Sequence, residues 1–303
     1  MTLIGRELVS VNGEITDLKD GKVSVLDHGF LYGDGIFEGI KFINNKILFH
    51  KEHLERLYTS AEVFRIPMIE PDEFEQHLFR VVKESNLISG YVRVVVSRGI
   101  GALDINPKKC ASSNLVIIVS KLQLYPEEFY EKGLKVIVAK TNKIPYRSLN
   151  CNVKSCNYLN NVVATWEALD RGASEAIMTD ENGIVSEATV DNIFGVKGDT
   201  LFTPGVETNC LIGITRNKII ELAAQCGMNV EEGRYTPFDF MFADEVFLTG
   251  TGAGIIPVSQ IEHKTIGTGK IGVKTKLLRN CYESNLEEFC TPIESEVLED
   301  VWS

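Results

Sequence analysis

The sequence predicts a two-domain α/β fold, on three observations. The chain has 303 residues, and 44% of them are hydrophobic. A chain of this length is longer than a single core of ordinary size usually accommodates. Stretches of helical periodicity alternate with short apolar runs such as 115–119, which are typical of buried strands. Asn-Gly and Asp-Gly pairs separate several of these runs and favour tight turns. We expect a small N-terminal domain at 1–121, a linker at 122–133 and a larger C-terminal domain at 134–303.

Charge and composition exclude several classes of protein. The net charge of −11 argues against nucleic acid as a partner, because phosphate binding needs clustered basic residues. The apolar runs are too short to cross a bilayer, and residues 1–6 lack a secretory signal pattern, so we expect a cytoplasmic protein. Seven cysteines without a C-x-x-C pair indicate reduced, packed thiols and no zinc site.

The N-terminal domain is predicted to begin with a β-meander and to continue with two helices and two strands. A Gly-rich stretch, 27–39, carries Tyr32 and Phe37. Such a stretch is as typical of a plain turn as of a functional loop. The predicted elements are strands at 7–11, from 14 onward and 22–26, helices at 51–65 and 71–86, and strands at 91–98 and 115–120.

One predicted strand carries a tyrosine and an arginine on the same face. Alternation places Tyr91, Arg93 and Val95 together. Such a pair on an otherwise apolar strand could bind a carboxylate.

The C-terminal domain is predicted to be strand-rich, with two helices. Its predicted strands lie at 134–140, 175–179, 184–189, 191–196, 201–203 and 245–248. Its predicted helices run from about Leu159 to about 172 and from 211 to 227, and an acidic tail begins near Thr291.

Lys154 stands where a loop becomes a helix. Ser155 or Asn157 is a plausible N-cap, and the helix would carry its apolar residues at helical spacing. A lysine beside helix N–H groups is a candidate for Schiff-base chemistry, although a solvated loop lysine is the more common case. The apolar positions are Val162, Val163, Trp166 and Leu169.

Two further stretches are suited to bind an anion. Residues 211–216 open a helix with glycine and threonine, which leaves N–H groups at its positive end. Residues 249–254 form a turn of small residues after a strand. Together with Lys154, the carboxylate of Glu187 and Arg56, they make up the groups that pyridoxal 5'-phosphate requires.

Three spaced blocks, 187–194, 201–203 and 211–216, resemble the signature of class IV pyridoxal-phosphate aminotransferases, as does Lys154-Ser155 with Asn157 upstream. The resemblance implies the two-domain fold type IV architecture of the D-amino acid aminotransferase type, with the cofactor between the domains. Phe37-Glu38-Gly39 and Tyr91-x-Arg93 are similar to the motifs of the branched-chain amino acid aminotransferases.

The resemblance also implies roles for individual residues. Lys154 would bond covalently to the cofactor, Glu187 would face the pyridine nitrogen and Tyr158 would contact the phenolic oxygen. The phosphate would be bound by Arg56, Ile214, Thr215 and Thr251, and the substrate by Tyr32, Phe37, Gly39, Tyr91, Arg93, Gly252 and Ala253.

The implied reaction is transamination between leucine, isoleucine or valine and 2-oxoglutarate, giving branched 2-oxo acids and L-glutamate, in a homodimer. Alternatives within the same fold are a transaminase of D-amino acids or R-amines and a lyase of the aminodeoxychorismate type. Gly252 and Gly254 stand where this family more often has alanine and glutamate, which bears on substrate scope.

Overall fold

The computed structural model describes residues 5–121 and 125–293, which fall into two compact units. Unit 1 contains the described residues up to 121 together with 286–293, and unit 2 contains 125–285. Within these described ranges, no helix has the length and apolar character needed to cross a membrane.

Both units contain strands and helices. The strands are β1 (Leu8–Val11), β2 (Glu14–Asp17), β3 (Gly35–Ile43), β4 (Lys46–Leu48), β5 (Gly90–Ser97), β6 (Asn114–Ser120), β7 (Leu134–Val138), β8 (Glu175–Thr179), β9 (Val185–Ala188), β10 (Asn192–Lys197), β11 (Thr200–Pro204), β12 (Asn229–Gly233), β13 (Glu245–Gly250), β14 (Gly254–Ile261), β15 (Lys264–Thr265) and β16 (Cys290–Pro292). The helices are α1 (His28–Tyr32), α2 (His50–Phe64), α3 (Pro71–Ser85), α4 (Phe129–Lys132), α5 (Leu159–Asp170), α6 (Ile214–Gln225), α7 (Pro237–Met241) and α8 (Val273–Ser284).

Unit 1 is built on a seven-stranded antiparallel sheet in the order β16-β4-β3-β5-β6-β1-β2. Helix α2 packs against β3, and α3 packs against β1 and β6. Along β5, Val92, Val94 and Val96 are buried, whereas Tyr91 and Arg93 are only half-buried. The alternation therefore confirms the predicted shared face of Tyr91 and Arg93.

Unit 2 is built on a mixed nine-stranded sheet. Its order is β12-β11-β10-β13-β14-β7-β8-β9, and β15 pairs with β14. The pairs β11/β12, β14/β7 and β7/β8 are parallel, and the other pairs are antiparallel. A core of buried apolar side chains, among them Val136, Ile177 and Leu248, fixes these strands.

The predicted meander is correct for its first hairpin and wrong for its third strand. β1 and β2 pair across Asn12-Gly13, but residues 22–26 form no strand. Val23 and Val25 are 46% and 72% exposed, and the segment ends in a turn in which Asp27 N–H donates to the Ser24 carbonyl at 3.0 Å. Without a neighbouring strand to pair with, apolar alternation alone did not produce sheet.

Helix α5 buries a different face from the one its large apolar residues suggest. Its buried residues are Asn161, Ala164 and Ala168, and the two alanines join a small core with Ala176 of β8. Alanines allow close approach of the helix to the sheet. The large side chains form instead what we call the α5 stripe, whose members are 43–75% exposed: Leu159, Val162, Val163, Trp166 and Leu169.

The C-terminal residues of the described chain belong to unit 1. Strand β16 pairs antiparallel with β4, from Cys290 opposite Leu48 to Pro292 opposite Lys46. Residues 286–293 were predicted to lie in the C-terminal domain, so the structure places them differently. Thr291 lies within β16, and residues 294–303 of the predicted acidic tail lie outside the described residues. Residues 122–124 of the predicted linker also lie outside them, and its remainder contains α4.

Candidate active site

Unit 2 contains a pocket in which two lysines and a glutamate meet. Lys154 comes from the segment between β7 and α5, and Glu187 comes from β9. We call this site the lysine pocket. It is lined by Lys143, Ile144, Leu149, Cys151, Val153, Lys154, Ser155, Asn157, Tyr158, Asn161, Glu187 and Leu211.

Lys154 lies in a tightly turned segment that ends at the first turn of α5. Its Nζ donates a hydrogen bond to the Tyr158 hydroxyl at 3.3 Å, and Tyr158 occupies the N-cap position of the helix. The predicted capping by Ser155 or Asn157 is wrong, because Ser155 Oγ accepts instead from the Asn157 backbone N–H at 3.4 Å. The turn thus places the lysine amine beside a phenol.

Asn161 ties the start of α5 to the strand region that follows Glu187. Its side-chain amide donates to the Thr189 carbonyl at 2.6 Å, and both residues are buried. This bond fixes the helix that carries Tyr158 against the segment that carries the glutamate.

Glu187 is buried and has partners on both carboxylate oxygens. Oε1 accepts from Lys143 Nζ at 2.5 Å. Oε2 accepts from the Leu211 backbone N–H at 3.0 Å and from Asn192 Nδ2 at 3.4 Å. A carboxylate with this many donors is held in one orientation.

The two lysines of the pocket differ in what their amines face. Burial disfavours a charged Lys143, but the adjacent Glu187 carboxylate, together with the Cys151 thiol, outweighs this and raises the pKa of Lys143 to about 12. The amine of Lys143 is thus held in a buried ion pair with Glu187, whereas the amine of Lys154 faces the Tyr158 hydroxyl. Of the two, Lys154 is the one suited to Schiff-base formation.

The N-terminus of α6 has the features of an anion site. Gly213 is its N-cap, and no side chain caps the first turn, which begins with Ile214 and Thr215. Thr215 Oγ1 is buried and has no hydrogen-bond partner among the described residues. Because buried polar atoms are almost always paired, this hydroxyl and the N–H groups of a twelve-residue helix fit a phosphate.

A close approach to a neighbouring strand fixes this helix terminus. A side chain at Gly213 would overlap Asn192 Oδ1, and Asn192 Nδ2 donates to the Leu211 carbonyl at 2.8 Å. Asn192 in turn pairs with Thr249 at the end of β13. Thr249 Oγ1 is a second buried hydroxyl that has no partner in the described part of the chain.

Thr251, Gly252 and Ala253 form the turn that joins β13 to β14. Ala253 is buried, and its carbonyl accepts from the Tyr130 hydroxyl at 2.9 Å. Gly254 follows with a φ of +66°, a left-handed conformation that L side chains rarely adopt. A glutamate at position 254 would therefore be strained in this backbone.

In unit 1, Arg56 is paired with a glutamate that the sequence analysis did not name as a site residue. Nε and Nη2 of Arg56 donate to Glu38 at 2.6 and 2.9 Å, and His53 Nδ1 lies 2.8 Å from the same carboxylate. Burial raises the pKa of Glu38, but Arg56 and His53 together outweigh this and hold the pKa well below its usual range. This Glu38 cluster (Glu38, His53 and Arg56) fixes the plane of the guanidinium.

Arg93, also in unit 1, lies between two aromatic rings. Its Cζ is 4.5 Å from the centre of the Phe37 ring and 5.8 Å from that of Tyr91. Gly39 is directly opposite Arg93 across the β3/β5 pair, and a Cβ there would overlap the Tyr91 hydroxyl. Four predicted residues, Phe37, Gly39, Tyr91 and Arg93, are thus brought together.

Tyr32 ends the short helix α1, and its ring packs edge-on against that of His28 at 4.9 Å. The structure thus gathers Lys154, Tyr158 and Glu187 in one pocket and Ile214 and Thr215 at one helix terminus, both in unit 2. It places Arg56 and the Arg93 group on neighbouring elements of unit 1, α2, β3 and β5.

Two residues of these sites were missed by sequence analysis, Lys143 and Glu38. Glu38 lies inside the Phe37-Glu38-Gly39 motif, and a charged residue in an otherwise apolar strand was an available signal. Lys143 lies in an irregular polar segment without periodicity, so no local pattern distinguished it.

Comparison with known proteins assigns the chain to a family. The family model described as amino-transferase class IV matches residues 35–261. A Methanocaldococcus jannaschii protein provisionally named a branched-chain-amino-acid aminotransferase is 40% identical over 276 residues, covering 91% of this chain and 95% of the relative. The branched-chain-amino-acid aminotransferase of Escherichia coli K12 is 32% identical over 289 residues, covering 93% and 94%.

Solved structures give the same result. The T.th. branched-chain amino acid aminotransferase with pyridoxamine 5'-phosphate has a TM-score of 0.90 and 31% identity, covering 96% of this chain and all of that one. The same enzyme complexed with N-(5'-phosphopyridoxyl)-L-glutamate has a TM-score of 0.88 and 30% identity, with the same coverage. The chain belongs to the class IV aminotransferases, and its two-sheet α/β fold is the fold type IV architecture expected of them.

Proposed function

We propose that this protein is a pyridoxal 5'-phosphate-dependent aminotransferase that exchanges amino groups between leucine, isoleucine or valine and 2-oxoglutarate. The observation that carries the proposal is the lysine pocket, in which Lys154 beside Tyr158 shares a cavity with the oriented carboxylate of Glu187. The names and ligands of the E. coli and T.th. relatives support the cofactor and the substrate class.

Two residues of the lysine pocket, Glu187 and Lys154, have different roles in the proposed reaction. When bound, the cofactor supplies an electron sink for charge that develops at the substrate α-carbon. Glu187 would accept a hydrogen bond from the protonated pyridine nitrogen of the bound cofactor and would stabilise its charge. Lys154, oriented by the Tyr158 hydroxyl, would remove the proton from the substrate α-carbon as a general base and would deliver it, as a general acid, to the cofactor carbon that takes up the amino group.

The phosphate and the substrate use the remaining predicted residues. We assign the phosphate to Ile214 and Thr215 at the α6 terminus, with Thr251 and Arg56. The orphaned Thr215 hydroxyl supports this assignment. The apolar side chain of a branched substrate is assigned to Tyr32, Phe37 and Tyr158, the distal carboxylate of glutamate to Arg93, and the remaining contacts to Gly39, Tyr91, Gly252 and Ala253.

We also propose a homodimer that resides in the cytoplasm. The exposed α5 stripe supports a protein partner, because contiguous apolar faces of this kind are usually covered. All seven cysteines are free thiols, which suits a reducing compartment.

Chemical trapping tests which lysine carries the cofactor. Borohydride reduction of the cofactor-loaded protein makes a lysine–cofactor bond permanent, and peptide mass spectrometry then locates it. We expect the label on Lys154 and none on Lys143, which is the matched control because it lies in the same pocket but is held in an ion pair with Glu187. Lys154→Ala should lose both turnover and the visible absorbance of the cofactor, and a label on Lys143 would refute the assignment.

Substitution of Arg93 tests the substrate class. Arg93→Ala should raise KM for glutamate and 2-oxoglutarate by about 10–100-fold, the typical cost of losing a charge-assisted hydrogen bond, while leucine is much less affected. Arg80→Ala, which removes an exposed arginine paired with Glu84 at 2.9 Å, is the control. Equal losses for both substrates, or faster turnover of D-amino acids or R-amines by the wild type, would contradict the proposal.

A further inference from the structure

Lys143 is built into the lysine pocket by its backbone as well as by its side chain. Its backbone N–H donates to the Thr179 carbonyl of β8 at 2.8 Å. The next residue, Ile144, accepts at 2.8 Å from the Asn209 side chain, whose oxygen accepts from the Cys151 N–H at 3.2 Å. The segment that carries Lys143 is therefore anchored at both ends.

The ammonium group of Lys143 forms an ion pair with the carboxylate of Glu187, to which the proposed reaction assigns a role. Lys143 and Glu187 are each only 6% exposed. A carboxylate this deeply buried destabilises the fold unless a positive charge lies beside it. The Leu211 N–H and the Asn192 amide on the other oxygen orient the carboxylate but bring no charge.

We propose that Lys143 is a positioning residue for transamination, which supplies the positive charge beside the Glu187 carboxylate and fixes its orientation so that it can accept the N–H of a protonated pyridine ring. This inference rests on the proposed function, since that ring belongs to the cofactor. It assigns to Lys143 no contact with substrate and no proton transfer.

The first test uses the full-length cofactor-free protein and urea unfolding. Lys143→Met keeps the unbranched side chain up to Cε and removes the ammonium group that pairs with the buried Glu187, so the unfolding midpoint near pH 8 should fall by about 1 M urea. The loss should shrink near pH 5, because a buried carboxyl group without a neighbouring cation costs less when it is protonated. Lys143→Arg keeps the charge and should lose much less.

A double-variant cycle separates the ion pair from simple packing. Lys143→Met combined with Glu187→Gln leaves no unpaired charge, so the double variant should recover most of the midpoint that Lys143→Met loses. The other titratable groups near Glu187, which are Cys151, Lys154, Tyr158, Asp191 and Cys210, are the same in every variant. Additive losses at both pH values would show that Lys143 contributes packing alone and would overturn the inference.

The second test follows the visible absorbance of the cofactor-loaded protein against pH. Removal of the Lys143 charge favours the protonated form of the cofactor, so the midpoint of the spectral change should rise by roughly one pH unit in Lys143→Met and stay near the wild-type value in Lys143→Arg. An unchanged midpoint in Lys143→Met would count against the inference. Absence of the absorbance from the wild type would instead refute the proposed function and leave the urea cycle valid.

Discussion

Two buried carboxyl groups, Glu38 in unit 1 and Asp191 in unit 2, respond to burial in opposite ways. Glu38 faces Arg56 and His53, which hold its pKa well below the ordinary value despite complete burial. Asp191 receives a hydrogen bond from the Tyr125 hydroxyl at 3.2 Å, but burial and repulsion by Glu175 raise its pKa to about 7. Burial raises the pKa of both groups, and the charge of their neighbours accounts for the difference between them.

The two groups should therefore change the free energy of unfolding in opposite directions as the pH rises. A carboxyl group whose pKa is lowered on folding stabilises the protein above the unfolded pKa, and this stability is lost as the pH falls through the folded value. A group whose pKa is raised stabilises at low pH, and the stability is lost as the pH rises toward the folded value. For Asp191 that window runs from the unfolded value of 3.8 to about 7.

The largest effect is expected at the Glu38 cluster. Glu38→Gln leaves Arg56 and His53 without a buried counter-charge, and we expect a loss of roughly 3–5 kcal/mol in the free energy of unfolding at neutral pH. Urea unfolding measures it. A loss below about 1 kcal/mol would mean that solvent already screens the cluster.

An intermediate effect with the opposite pH dependence is expected at Asp191. In Asp191→Asn the group no longer titrates, so wild-type stability should fall relative to the variant by up to roughly 3 kcal/mol between about pH 5 and about pH 8. Urea midpoints of the cofactor-free proteins across this range give the difference. Parallel curves would show that Asp191 is ionised throughout. Glu175, whose pKa burial also raises, makes the transition broader than that of one site.

The smallest effect is expected at an exposed pair in unit 1. Asp17 lies 3.4 Å from Arg6, with both side chains at least half exposed. Asp17→Asn should change the free energy of unfolding by no more than about 0.5 kcal/mol at neutral pH. A change as large as that of Glu38→Gln would show that burial does not separate the two kinds of pair.

The fold was predictable where one periodicity ran without competition. In β5 the alternation of Val92 and Val94 with Tyr91 and Arg93 gave the correct face, because that sheet has one face toward a core. In α5 the apolar spacing predicted the helix but not the face that packs on the sheet, since the contact with β8 uses small side chains and Trp166 remains exposed. The spacing of apolar residues shows which face of a helix is apolar, but it does not show whether the sheet or a second chain covers that face.

The candidate site was predictable where local sequence carries chemistry. Lys154 and Glu187 were identified by residue type within a spaced signature, and the structure places both in the lysine pocket. Lys143 could not be found in this way. It meets Glu187 across 44 residues of chain, and only the folded path of the segment between β7 and α5 brings the two side chains together.

The outward position of Trp166 gives the protein an optical reporter of its own. Indole emission moves to shorter wavelength when the ring leaves water, and the Trp166 side chain is 59% exposed in the single chain. If a second chain covers the α5 stripe, dilution should shift the emission toward the red and yield a dissociation constant without any added label, with Trp166→Phe as the blank.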